Sequence, residues 1–235
     1  MDLTALALRM VTQRRVVSFA QRVLRRGAIS HGPGNARAIA LTFDDGPDAM
    51  WTPRVLDALD RISARATFFF VGRNVAAAPE IVRETRRRGH EIGTHLYSAD
   101  RSVVNDDAAF AAELQRSLGQ LQDILGERVH WLRFPRGQRG KQTPEGVAKA
   151  FGVQAAHWTI SHEELGGPPE RVVARLEASL RQGAIVRLRY WGADGVGTER
   201  DATCRALPGI AAAARARALA LVTLSDLVDR PTQRR

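Results

Sequence analysis

The sequence predicts a single α/β domain built on parallel strands, either a β/α barrel or a doubly wound sheet. Two observations predict it. About seven short apolar segments of strand length alternate with segments of helical spacing, and such an alternation joins parallel strands through crossover helices. Polar residues then gather just after those apolar segments, at the carboxyl ends where both architectures keep their sites. Asp44 and Asp45 follow the first segment, Thr94 and His95 the third, Arg133 and Arg136 the fourth, and Arg189 and Asp194 the sixth.

In chain order, Leu6, Met10, Val17 and Leu24 fall at helical spacing among arginines, so residues 3–26 read as a basic amphipathic helix. It is expected to pack on the main domain, with a membrane-surface role as the alternative. Gly27 to Asn35 is a connector, so 1–35 forms a leading segment, 36–230 the domain and 231–235 a tail. The apolar run Ala38 to Phe43 is the first strand, ended by Gly46-Pro47. Thr52–Ile62 reads as a helix, Ala66–Val71 as a buried strand, Pro79–Arg88 as a helix and Glu91–Gly93 as a short strand. A long helix over Ala108–Leu125 precedes a strand at Val129–Phe134, a short helix at Pro144–Ala150 and a strand at Val153–Thr159. Pro169–Arg181 is a helix, Ala184–Tyr190 a strand, Thr203–Ala218 an Ala-rich helix, Ala220–Thr223 a strand and Leu224–Val228 a terminal helical turn.

With 235 residues, 44% of them hydrophobic, the chain can bury a sizeable core. Its net charge of +10 comes almost wholly from arginine. These arginines are scattered and carry no nucleic-acid-binding signature, so a basic solvated surface is expected and a nucleic-acid partner is not. Cys204 is the single cysteine, which excludes an intrachain disulfide and a cysteine zinc cluster. The stretch Leu3 to Leu8 is interrupted by Arg9 and lacks a secretory cleavage pattern, and no run reaches membrane-spanning length, so a cytoplasmic protein is expected.

Asp44 and Asp45 are the centre of the functional reading. Two adjacent carboxylates at a strand's carboxyl end can divide labour, one binding a cation and the other taking a proton. The alternative is a solvated Asp-Asp-Gly-Pro turn.

The phrases Thr42-Phe43-Asp44-Asp45-Gly46-Pro47, Ala66-Thr67-Phe68-Phe69-Phe70-Val71-Gly72, Gly89-His90-Glu91-Ile92-Gly93-Thr94-His95 and Leu221-Val222-Thr223-Leu224-Ser225-Asp226-Leu227 resemble the polysaccharide deacetylase family, carbohydrate esterase family 4. The similarity of layout runs from about Ile39 to Val228. The resemblance implies a deformed β/α barrel of about seven parallel strands that binds zinc or a similar divalent ion and hydrolyses N-acetyl or O-acetyl groups. It also implies Asp44 as general base, Asp45 as metal ligand and Arg133 as the group that holds Asp44 ionised and oriented.

Other positions depart from the family pattern. The second motif supplies two histidines four positions apart, and here His95 is followed by Ala99, whose methyl group cannot coordinate a metal. Asp45 and His95 leave two protein ligands where catalytic zinc normally has three. A third would have to come in space from His90, His157 or His162. Arg136 stands where a tyrosine usually helps the oxyanion hole, and near Trp158 the family's acidic residues become Thr159, Ser161 and Glu164. In the sixth strand, Arg187 and Arg189 take the places of the acetyl-pocket leucine and the general-acid histidine. Strand alternation aims both inward with Ile185, whereas a slip of one residue would aim Leu188 and Tyr190 inward instead.

Three functions follow. The first is a repurposed, metal-independent enzyme on a small anionic molecule, with Asp44 as base, Arg133 and Arg189 as charge stabilisers, and Arg136, Trp158, Glu164 and Arg187 as ligand contacts. The second is a binding protein without turnover. The third is a zinc-dependent deacetylase of an amino sugar with a weakly held ion. No cofactor is expected in the first two, and zinc or another divalent ion belongs to the third.

Overall fold

The computed structural model describes residues 28–100, 102–135, 150–161, 168–189 and 197–229. The expected helix over 3–26, all but the last residue of the one at Pro144–Ala150, and the tail 231–235 lie outside the described residues, as do Arg136, His162, Glu164, Tyr190 and Asp194.

The strands are β1 (Ala38–Asp44), β2 (Thr67–Phe70), β3 (Glu91–Thr94), β4 (Trp131–Leu132), β5 (Gln154–Ala155), β6 (Ile160–Ser161), β7 (Ile185–Arg189) and β8 (Ala220–Val222). All pair in parallel, in the order β5-β4-β3-β2-β1-β7-β6, with β8 paired to β1. The two ends of that order, β5 and β6, are consecutive in the chain, and residues 156–159 carry the backbone from the β4 side to the β7 side. Counting β5 and β6 as one interrupted strand gives the deformed barrel of seven parallel strands. The continuous strand expected over Val153–Thr159 is therefore broken. A single straight segment cannot pair with β4 and β7 together, and Arg133 takes the Ala156 and His157 carbonyls at the bend, at 3.2 and 2.9 Å.

Helices α1 (Trp51–Arg61), α2 (Gly72–Ala77), α3 (Pro79–Arg87), α4 (Asp107–Leu125), α5 (Pro169–Ser179), α6 (Gly197–Ala216) and α7 (Leu224–Asp229) complete the described chain, with a 3-10 turn at Ser102–Asn105. The six-residue α2 and the 3-10 turn are absent from the sequence expectation, being too short to show a helical period. The α1 start is fixed by Asp48, whose carboxylate accepts the Met50 and Trp51 N–H groups at 2.9 and 2.7 Å. Asp106 does the same for α4, taking the Ala108 and Ala109 N–H groups. Among the described residues, no helix is long and apolar enough to cross a membrane.

Strand β1 is buried along its whole length and sorts the core by alternation. Ile39, Leu41 and Phe43 face outward into the helical layer with Phe68, Phe70, Val186 and Leu188. Ala38 and Ala40 face the barrel interior with Phe69, Trp131 and Ile185. Small residues on β1 make room for the large ones opposite. Gly93 serves the same end, since a Cβ there would lie 2.7 Å from the Phe69 ring. At the amino end the interior is plugged by Leu224, Leu227 and Val228 of α7. Glu91 ties this plug to the strands by accepting from the Thr67 hydroxyl at 2.7 Å, the Trp131 indole N–H at 2.9 Å, and the hydroxyl and N–H of Ser225. Burial pushes the Glu91 carboxyl above its ordinary pKa, and these donors pull against that shift.

His90 packs edge-on to Phe68, with ring centroids 5.4 Å apart, and its Nδ1 accepts the Ala66 N–H at 3.3 Å. Burial, aided by the charge of Arg65, lowers its pKa to about 4 from 6.5. The native state thus binds fewer protons than the unfolded chain between these values, so His90 costs stability as pH falls. Unfolding free energy is expected to drop by about 3 kcal/mol between pH 6.5 and pH 4 through this residue. In urea titrations, His90→Gln should flatten that part of the pH profile, and an unchanged slope would contradict the assignment.

Candidate functional site

Above the apolar interior layer, the carboxyl ends of β1, β3, β4 and β7 bring Asp44, Asp45, His95, Arg133, Arg187 and Arg189 together. Thr42 and Asp44 continue the inward face of β1, one step above Ala40. Arg133 follows β4 and is fully buried. Its Nη1 donates to Asp44 Oδ1 at 2.9 Å and to the Thr42 hydroxyl at 2.6 Å, while Nε and Nη2 hold the Ala156 and His157 carbonyls. Its Cζ lies 4.1 Å from the centre of the Phe69 ring. Burial lowers the Arg133 pKa and the neighbouring Asp44 opposes that shift. A guanidinium nevertheless stays charged at physiological pH, so the Asp44 pairing expected from the sequence is an ion pair here.

The register of β1 against β7 pairs Thr42 with Arg187 and Asp44 with Arg189. Ile185 packs in the interior whereas Val186 and Leu188 pack outward, so Arg187 and Arg189 point into the barrel and the slipped alternative does not hold. Arg187 Nε lies 3.2 Å from Asp44 Oδ2, and its Cζ lies 4.1 Å from the Trp158 ring centre. Arg189 reaches Asp45 instead, with Nε at 2.8 Å and Nη2 at 2.7 Å from Oδ2. Both Arg187 and Arg189 thus have anionic partners within the site, as burial of a guanidinium requires.

Asp45 adopts the left-handed φ of 74° and its carbonyl accepts from the Asn74 amide at 2.9 Å. Its Oδ1 faces His95 Nε2 at 3.5 Å. His95 Nδ1 lies 2.8 Å from the Arg133 carbonyl, which can only accept, so Nδ1 carries a proton and Nε2 is turned to Asp45. That is how a metal-binding imidazole is oriented. Burial raises the Asp45 pKa, but His95 and Arg189 outweigh it and hold the carboxyl down at about 2.

The described residues do not fit a catalytic zinc. Among the described residues, no group of three or more His, Cys, Asp or Glu is placed to hold a metal ion. Asp45 and His95 supply two ligands, Ala99 supplies none, and Arg189 already puts a positive charge on Asp45 Oδ2. His90 lies ahead of β3, at the opposite end of the barrel. His157 follows β5, and its ring packs against Phe134 and Trp158, at centroid distances of 6.5 and 6.1 Å. Neither supplies the missing ligand, and His162, Arg136 and Glu164 are outside the described residues. The loop after β3 depends on a residue that the motifs do not mark. Glu113 of α4 accepts the N–H groups of Tyr97 and Ser98 and the Ser98 hydroxyl.

A parallel β/α barrel with two carboxylates at the mouth of its first strand, a histidine after the third and a buried arginine after the fourth has the layout of a hydrolase fold. The polysaccharide deacetylase family model matches residues 31–156. The chain is 33% identical over 204 residues to a chitooligosaccharide deacetylase of Bradyrhizobium sp. (strain ANU 289), covering 81% of this chain and 90% of that protein. It is 31% identical over 199 residues to a peptidoglycan-N-acetylglucosamine deacetylase of Bacillus cereus, covering 83% and 90%. A solved peptidoglycan N-acetylglucosamine deacetylase superposes with a TM-score of 0.77 at 23% identity, over 88% of this chain and 95% of that one. A CE4 family pseudoenzyme from Bacillus anthracis superposes at 0.75 and 21% identity, over 86% and 69%. The chain belongs to the polysaccharide deacetylase family.

Removing Arg133 would take the donor from Asp44 Oδ1 and from two backbone carbonyls in the core. Arg133→Met is expected to cost about 3–5 kcal/mol in chemical denaturation. A loss below about 1 kcal/mol would show that the pair is not a structural tie.

Proposed function

We propose that this family member works without a catalytic metal and holds a small anionic or amino-sugar ligand at its arginine-lined barrel mouth, where Asp45 and Arg189 are partly exposed. One observation carries the reading: all four carboxylate oxygens at the barrel mouth face Arg133, Arg187, Arg189 or His95. A hydrolytic water would need an ion on Asp45, and Arg189 has that position. The acetyl methyl would need a small apolar slot, and Arg187 fills the strand position that the resemblance assigns to it. A guanidinium does not donate a proton near neutral pH, so Arg189 is no substitute for a general-acid histidine. What the site keeps is suited to recognition: planar forks that match carboxylate or phosphate groups, beside the face of Trp158. The deacetylases of chitooligosaccharides and peptidoglycan that this chain resembles support a glycan-sized ligand.

A second reading is favoured by the intact Asp44–Arg133 pair. An anionic substrate drawing Arg187 away from Asp44 Oδ2 would free that oxygen as a base, with Arg133 and Arg189 stabilising negative charge. Asp44→Asn, checked for folding by thermal unfolding because it also uncouples Arg133 and Arg187, separates the two: it abolishes turnover in an enzyme, whereas a folded binding variant still binds ligand.

The test is calorimetric titration with chitooligosaccharides, their N-deacetylated forms and uronic-acid oligosaccharides, beside an assay of acetate release with and without added zinc. The expected result is saturable binding that Arg187→Met weakens at least tenfold, with no acetate released. Zinc-stimulated, chelator-sensitive release of acetate would overturn the proposal.

A further inference from the structure

The family's metal site has been lost unevenly in this chain. One ligand position is Ala99, yet the loop that bears it is still firmly built. Glu113 takes the Tyr97 and Ser98 N–H groups at 3.1 and 2.7 Å, and the first N–H groups of α2, from Gly72 and Arg73, donate to the Leu96 and Tyr97 carbonyls at 2.9 Å each. The Arg116 guanidinium lies 3.5 Å from the Tyr97 ring centre and donates to its hydroxyl at 2.8 Å. Leu96 and Ala99 take left-handed φ values of 66° and 58°, a region in which histidine is found more often than most residues. His95 remains oriented by the Arg133 carbonyl with Nε2 toward Asp45. The scaffold of a metal site therefore outlasts its third ligand.

The second change is one of charge. Arg189 lies on β7, in register with Asp44, but it crosses to Asp45 and places two guanidinium nitrogens within 2.8 Å of Oδ2. A divalent ion approaching the same carboxylate would meet a fixed positive charge in a partly buried setting, where screening by solvent is weak.

We infer that Arg189 is a built-in cation that stands in for the metal on Asp45 and keeps divalent ions out, so that restoring the missing histidine is not sufficient to restore metal binding. This rests on the metal-independent reading above. Two changes, Ala99 and Arg189, are each enough to empty the site, and they act differently: one removes a ligand, the other occupies the charge position.

The experiment titrates Co²⁺ by visible absorption, and Zn²⁺ by calorimetry, into the full chain and its variants, with thermal unfolding recorded for each. Wild type and Ala99→His are expected to show no tight site. Ala99→His combined with Arg189→Gln, which keeps a hydrogen-bond donor for Asp45 but removes the charge, is expected to bind one Co²⁺ at least 100-fold more tightly than Ala99→His alone. Ala99→His with Arg189→Met repeats the test without a donor, and Ala99→His with Arg189→Lys, which keeps the charge, is expected to stay near the single variant. Tight binding by Ala99→His alone would overturn the role of Arg189, and tight binding by the lysine form would overturn its basis in charge. Failure of both folded double variants to bind would overturn the prebuilt loop. Stoichiometric zinc in the wild type would instead remove the metal-independent reading itself, and the inference with it.

Discussion

The ion pair between Asp44 and Arg133 is the contact on which the rest of the barrel mouth depends. It spans the interior from β1 to the end of β4, and the same guanidinium holds the carbonyls at the bend between β5 and β6. The bend is what closes the strand order, so one buried side chain joins the site's carboxylate to the closure of the fold. Its neighbours follow from it. The Arg133 backbone carbonyl orients His95, and the orientation of His95 sets what Asp45 meets.

That dependence explains how the chain keeps the architecture of its family with Ala99 where the resemblance places a second histidine. Burying a carboxylate needs a positive partner, and an arginine satisfies the need as well as an ion does when its fork is well placed. Arg187 and Arg189 meet it from β7, each on its own aspartate. Among the described residues, the charge balance at the mouth is met by side chains.

Much of this was legible in the sequence. Asp44, Asp45, His95 and Arg133 were marked by their places just after apolar strands, and the inward aim of Arg187 and Arg189 was one of two registers that strand alternation allowed, decided by the packing of Ile185 inward and Leu188 outward. Which of Arg187 and Arg189 meets which aspartate was not legible, because it depends on the β1–β7 register and on the left-handed turn at Asp45. The break between β5 and β6 was missed because an apolar segment looks the same whether it pairs with one neighbour or passes between two. His90 was a candidate ligand by residue type alone, and its position ahead of β3 makes it a core residue. Glu113 carried no mark at all, since its role is to accept three donors from a loop 15 or 16 residues earlier in the chain.

On the proposed reading, the cation at Asp45 is the Arg189 guanidinium and not a metal. Nitrogen-15 NMR of the His95 imidazole tests it most directly, because a metal on this residue would bind at Nε2 and shift that nucleus strongly. On addition of a single equivalent of zinc to the wild-type protein, the account predicts an unchanged Nε2 resonance with Nδ1 still protonated. A zinc-dependent shift of Nε2 that saturates at one equivalent would contradict it.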